Sequence, residues 1–126
     1  MPIARLDHVN VRTTRLSEMV AWYSDVLGLR EGWRPDFGFA GAWLYAGEHA
    51  VVHLVEIERD DAVGSEVELK LEHFAFTASD PDDFEEGLRM HGVKCRKVVI
   101  DSTGMTAFNI WDPDGNHIHV DFPIAG

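Results

Sequence analysis

The feature that most constrains this chain is a pattern stated twice. "LDH" at 6–8 returns as "LEH" at 71–73, and each opens the same succession of a strand, a helix and three further strands. A helix-ending glycine follows in both halves, Gly28 and Gly92. His53 comes 45 residues after His8, and His119 comes 46 after His73. Doubling of this kind marks one supersecondary unit used twice. The expectation is an α+β chain of paired β-α-β-β-β modules, about 1–60 and about 68–126, within one domain spanning 1–126. Approximate two-fold symmetry between such modules pairs their sheets around one cleft.

Each element is spelled locally. Residues 5–12, "RLDHVNVR", alternate, with Leu6, His8 and Asn10 on one face and Val9 and Val11 on the other. In "TTRLSEMVAWYSDVLGL", Leu16, Met19, Val20, Tyr23 and Leu27 recur at helical spacing, with Thr14 as N-cap and Gly28 as terminator. Residues 29–34 read as extended, and "RPDFGFAG" as a turn-rich loop with exposed aromatics. "AWLYAG" and "HAVVHLVEIE" read as strands joined near Gly47-Glu48, and the polar "RDDAVGSEVE" as a linker. In the second half, "KLEHFAFTA" at 70–78 is a strand with Leu71, His73 and Ala75 on one face. "SDPDDFEEGLRMHGV" is a helix capped by Asp80, with Pro81 in its first turn and Phe84 and Leu88 facing inward. "CRKVVI", "MTAFNIWD" and "HIHVDF" complete the set, the last after the turn cluster "DPDGN".

The histidines are the chemistry-bearing residues. Of seven, His91 sits in the last turn of the second helix, where a cation suits the dipole, and His49 sits beside a turn. The others lie in strands. His8, His53, His73 and His119 fall at equivalent positions of the two halves, on the face opposite helix packing. Imidazole is the commonest metal ligand at neutral pH. Four that converge on a divalent ion is the sharp reading; four unrelated histidines is the bland one. His117 shares a face with His119 and is placed at the rim of the site or behind its ligands. Trp33, Phe37, Phe39, Trp43, Phe108 and Trp111 suggest an apolar pocket, with Trp43 and Phe108 preferred on strand phase.

Composition narrows the partners. The formal charge is −11, which argues against a nucleic-acid backbone. No apolar run approaches the ~20 residues of a membrane span. The single cysteine, Cys95, permits no intrachain disulfide, and "MPIARLDHVNV" carries no basic-then-apolar leader. These features together read as a cytoplasmic protein.

"LDHVNVR", "WYSDVLGLR", "LEHFAF" and "DPDGNHIHV" resemble hallmark segments of the vicinal oxygen chelate superfamily, which includes glyoxalases, bleomycin-resistance proteins and extradiol dioxygenases. The resemblance runs nearly end to end. It implies the paired β-α-β-β-β fold curled around a metal cleft, with metal ligands at His8, His53, His73 and His119. It implies one divalent ion per site, and imidazole suits zinc, nickel or iron. A small-molecule substrate and a homodimer are implied as well, with each site either within one chain or shared between two. His53 and His119 take the positions where the family's glyoxalases carry carboxylates, and they become the catalytic candidates. Glu56, three residues from His53 along a strand, falls on the opposite face and is a poor substitute. Arg12, Asn10, Trp43 and Phe108 are the candidate substrate contacts. The expected activity is that of a lyase, isomerase or dioxygenase that chelates two vicinal oxygens. The alternative is a non-catalytic binding protein of the bleomycin-resistance type; those members lack the metal ligands, whereas this chain has histidine at all four positions.

Overall fold

The computed structural model describes residues 2, 4–58, 71–100, 102 and 104–123. The proposed linker and the ends of both modules that flank it lie outside the described residues. The chain divides into two compact units, Met1–Ser65 and Glu66–Gly126.

The first unit contains β1 (Val9–Thr13), α1 (Leu16–Asp25), β2 (Arg30–Gly32), β3 (Gly41–Ala46) and β4 (His49–Glu56). Its sheet has the order β1-β4-β3-β2. β1 runs parallel to β4, and the remaining pairs are antiparallel. The second unit repeats this with β5 (Phe74–Thr77), α2 (Pro81–Met90), β6 (Arg96–Ile100), β7 (Met105–Trp111) and β8 (His117–Phe122), in the order β5-β8-β7-β6. The β-α-β-β-β repeat read from the sequence is therefore present in both halves.

Alternation explains the cores. In the first unit Ala42, Leu44, Val52 and Leu54 point to the face that meets Met19 and Tyr23 of α1, and all six are buried. In the second unit Phe108, Ile110, Ile118, Val120 and Phe122 are buried on one face. Phe84 of α2 packs edge-on against Phe108, with ring centroids 5.5 Å apart, and tilted against Phe122 at 5.4 Å.

Several local expectations move. The first strand of each unit is shorter than its alternating pattern: β1 begins at Val9 and β5 at Phe74. Leu6 and Leu71, placed by pattern on the histidine face, instead lie ahead of the strands and are exposed. Thr14 is not the N-cap of α1. Arg15 holds that place without a side-chain capping bond, and its N–H donates to the Thr13 hydroxyl. The second helix follows the sequence reading: Asp80 accepts from the Asp83 N–H at 3.3 Å, and Pro81 opens the first turn.

Candidate metal centre

The turn "DPDGN" sets where the C-terminal histidines stand. The Asp112 carboxylate is buried and closes the loop on itself. Its Oδ1 accepts from the N–H groups of Asp114 (3.0 Å) and Asn116 (2.9 Å), and its Oδ2 accepts from Asn116 Nδ2 (2.9 Å). Gly115 supplies a positive φ of 87°. This five-residue turn joins β7 to β8 and fixes the register Trp111↔His117, Asn109↔His119 and Ala107↔Asp121. Those residues share one face, opposite the Phe108 core face.

His73, just ahead of β5, joins this group. Its ring stacks on His119 with centroids 3.9 Å apart and planes 7° apart, and it lies 5.3 Å from the His117 ring. One ring nitrogen from each of His73, His117 and His119 falls within 4.8 Å of the others, compact enough for a single ion. Glu72 spans two of the rings: its Oε1 lies 3.1 Å from His73 Nδ1, and its Oε2 meets His117 Nδ1. The other nitrogen of His117, Nε2, lies 3.0 Å from Asn109 Oδ1. Asn109 Nδ2 donates to the Arg96 carbonyl, which fixes the amide so that its oxygen faces the histidine. Both oxygens that face His117 are acceptors, so a neutral ring, with a single N–H, donates to one of them at a time, and Trp111 stacks on it at 4.8 Å. Asp121 Oδ1 is buried without a hydrogen-bond partner, 4.0 Å from His119 Nδ1. An orphaned carboxylate oxygen beside clustered imidazoles suits a cation, so the donor set here fits a metal ion.

The first unit carries a matching pair. His8, just ahead of β1, stacks on His53 with centroids 3.8 Å apart and planes 11° apart. Trp43 covers the opposite face of His53 at 4.0 Å. His53 is buried, and its Nε2 lies 3.1 Å from the Ala50 carbonyl, leaving Nδ1 with the free lone pair. His8 Nδ1 lies 2.7 Å from Asp7 Oδ2. Asn10 pairs with His53 across the parallel strands, and Arg12 lies two residues further along the same face. Glu56 pairs with Thr13, on the face opposite His53, as alternation requires.

Burial lowers the pKa of both His53 and His119 below the ordinary 6.5, with a neighbouring imidazole adding to the effect in each case. Asp7 is held below its usual value chiefly by the hydrogen bond from His8, and Glu72 chiefly by that from His117 and then by that from His73.

The aromatic assignments need one correction. Phe108 is fully buried on the α2 side, against Phe84 and Phe122, and does not share a face with the histidines. Its phase is set by Val120, its register partner, whereas His119 pairs with Asn109. Trp43 does lie on the histidine face, with Trp33 at 6.1 Å and Phe37 at 6.2 Å from its ring. Trp33, Phe37 and Phe39 are all exposed, and the Arg34 guanidinium lies over the rings of Phe37 and Phe39. His49 begins β4 at an exposed position, and His91 Nδ1 bonds the Gly87 carbonyl at the end of α2. Sequence reasoning did not single out Glu72, Asn109 or Asp121. The i−1 carboxylate before His73 was present in "LEH", but the bridge to His117 requires the fold.

The family model for the Glyoxalase/Bleomycin resistance protein/Dioxygenase superfamily matches residues 5–120. Solved structures share the fold across nearly the full length of both chains. A glyoxalase family protein from Bacillus anthracis is 23% identical, with a TM-score of 0.78 over 98% of each chain. Lactoylglutathione lyase from Agrobacterium tumefaciens is 17% identical, with a TM-score of 0.71 over 97% of this chain and 96% of its own. The fosfomycin resistance protein FosX from Listeria monocytogenes is 14% identical, with a TM-score of 0.69 over 98% and 97%. At these identities the likeness is one of fold. Among curated proteins no sequence matches the chain. Among the described residues no helix is long and apolar enough to cross a membrane.

Proposed function

Because the chain belongs to the glyoxalase/bleomycin resistance protein/dioxygenase superfamily, whose members are usually metal-dependent and act on small molecules, we propose that it is a metal-dependent enzyme acting on a small substrate with two vicinal oxygens. His8, His53, His73 and His119 hold the ion in this reading, and the two modules work as one domain. The chain acts as a cytoplasmic homodimer. The observation that carries the proposal is the equivalent stacked histidine pair in each unit, His8–His53 and His73–His119. Chance placement of histidines gives no reason for both pairs to recur at one register.

A divalent ion of zinc, nickel or iron would supply a Lewis acid for two adjacent oxygens and for charge developing on them. The chain's own residues do the rest. Burial keeps the His53 and His119 rings neutral, so each presents a lone pair to a ligand bond or a proton. In His53 that lone pair is on Nδ1, because Nε2 is committed to the Ala50 carbonyl. Four neutral imidazoles add no negative charge, which favours an anionic substrate. Trp43 shields one face of His53 from water, and Asn10 and Arg12 offer polar contacts on the same face.

Protein purified without a metal-affinity tag is expected to contain about one divalent ion per site by elemental analysis. His8→Ala, His53→Ala, His73→Ala and His119→Ala should each remove it, and His91→Ala should not. A protein with no affinity for zinc, nickel or iron overturns the proposal. That result favours the second reading, a small-molecule binder without chemistry, for which the exposed Trp33 and Phe37 beside Trp43, with Phe39 stacked on Phe37, are the supporting observation.

A further inference from the structure

The two units share a device beyond the histidines themselves. His8 and His73 each stand one residue ahead of the first strand of their unit, where the chain is not yet held in the ladder. In regular strand, neighbouring side chains point to opposite faces and cannot meet. Ahead of the strand they can, and in both units the preceding carboxylate turns onto the ring. Asp7 Oδ2 lies 2.7 Å from His8 Nδ1, and Glu72 Oε1 lies 3.1 Å from His73 Nδ1. Both carboxylates are exposed, so burial does not force these contacts. In each case the bonded atom is Nδ1. An ionised carboxylate only accepts, so the ring must carry its proton on Nδ1, and Nε2 is left with the lone pair.

Resting on the metal-site reading above, we propose that Asp7 and Glu72 are positioning residues that select the Nδ1–H tautomer of His8 and His73 and so make Nε2 the metal-binding atom of each. A carboxylate on the far nitrogen of a ligating imidazole also fixes the ring's orientation and raises its basicity. In the second unit Glu72 carries a further load. Its other oxygen meets Nδ1 of His117, whose Nε2 lies 3.0 Å from Asn109 Oδ1, so one carboxylate ties His73 to the ring beside it. A longer side chain is needed to span two rings, which accounts for Glu at 72 where the first unit has Asp at 7. His117, flanked by Glu72 and Asn109, acts in this arrangement as a buttress for Glu72.

The test uses the full chain, stripped of metal by chelation, with nitrogen-15 in its histidines. Two-bond nitrogen–proton correlations at mildly alkaline pH, where imidazoles are neutral, report which nitrogen carries the proton. The expected result is Nδ1–H for His8 and His73 in the wild type. Asp7→Ala should release His8 alone, and Glu72→Ala should release His73, each toward the Nε2–H form that free imidazole side chains favour. Zinc titration should show about 10- to 100-fold weaker binding in each variant. Asp7→Asn, which keeps an acceptor oxygen, should restore the His8 tautomer, an outcome a purely structural role for Asp7 does not require. Wild-type rings protonated on Nε2, or alanine variants with unchanged tautomers and zinc affinity, overturn the inference. The two readings fail separately. A wild type that takes up no zinc defeats the metal site whatever the tautomers are, whereas zinc uptake with Nε2–H rings defeats only the positioning role.

Discussion

His53 and His119 occupy the same register in their two units. Each is paired across a parallel ladder with the second residue of the unit's first strand, Asn10 or Ala75, and each stacks on the histidine ahead of that strand. Their surroundings differ position by position. Across the antiparallel ladder His53 faces Trp43, whereas His119 faces Asn109. Two residues before them stand Val51 and His117; two residues after them stand Val55 and Asp121. Along and across the hairpin, His53 is therefore flanked by aromatic and aliphatic side chains, and His119 by hydrogen-bonding and charged ones. The repeat fixes the positions of the histidines through backbone register, and the neighbouring residues are free to differ. An apolar wall suits the body of a substrate, and a polar network suits holding an ion.

The largest effect that would sharpen this contrast is on stability. Phe108 and Trp43 are both large aromatics on the equivalent interior strands β7 and β3, yet Phe108 is buried on the helix face and Trp43 covers a histidine. Phe108→Ala should cost about 3–5 kcal/mol in chemical denaturation. Trp43→Ala should cost clearly less and should instead weaken small-molecule binding, read by titration. Equal losses of stability would mean that the first unit's aromatic wall is core after all.

Next come the ligands. His53→Ala and His119→Ala should each weaken zinc binding by about 100-fold or more, beyond the usual range for an outer partner. Among the described residues the second unit has a three-histidine cluster of its own, and the first unit a stacked pair. If His53→Ala leaves affinity untouched while His119→Ala abolishes it, the ion belongs to the second unit alone and the symmetric reading breaks.

The hairpins that carry the two histidines are built differently as well. β3 and β4 are joined by Gly47 and Glu48 alone, with Gly47 at a φ of 62°. β7 and β8 are joined through the Asp112 network. Asp112→Ala strips three hydrogen bonds made by a buried carboxylate and should cost about 2–3 kcal/mol. Gly47→Ala meets no atoms in space and pays only the backbone cost, about 1 kcal/mol. Thermal unfolding of the two variants checks the order.

The fold was legible because the repeat, the helix periodicity and the punctuation at Gly28, Gly92 and "DPDGN" all act through the local backbone. The matched register of His8 with His53 and of His73 with His119 was legible for the same reason: equivalent positions in a repeat fall at equivalent places in the ladder. Phe108 was not. Its face depends on whether it pairs with Val120 or with His119, a shift of one residue that composition does not reveal and that reverses the face. Glu72, Asn109 and Asp121 were hidden for another reason. Their roles lie in contacts such as Glu72 with His117 and Asn109 with Arg96, which join residues far apart in sequence through side chains rather than through periodicity.

The smallest expected effect concerns protons. His53 and His119 both have a pKa below the ordinary 6.5, chiefly through burial, so the folded chain resists a proton that the unfolded chain accepts. In metal-stripped protein, the stability these groups contribute is whole above 6.5 and is lost as pH falls from there through the lower folded values. The Ala50 carbonyl and Asp7 oppose the shift of His53, and Asp121 and Glu72 oppose that of His119. Asp121→Asn removes one of those carboxylates, so His119 should titrate lower still and the acid loss of stability should steepen. The substitution should leave the His53 titration where it was. Histidine titration by NMR separates the two rings, and a shift of His53 equal to that of His119 would show that the variant had disturbed the whole fold rather than one unit's polar shell.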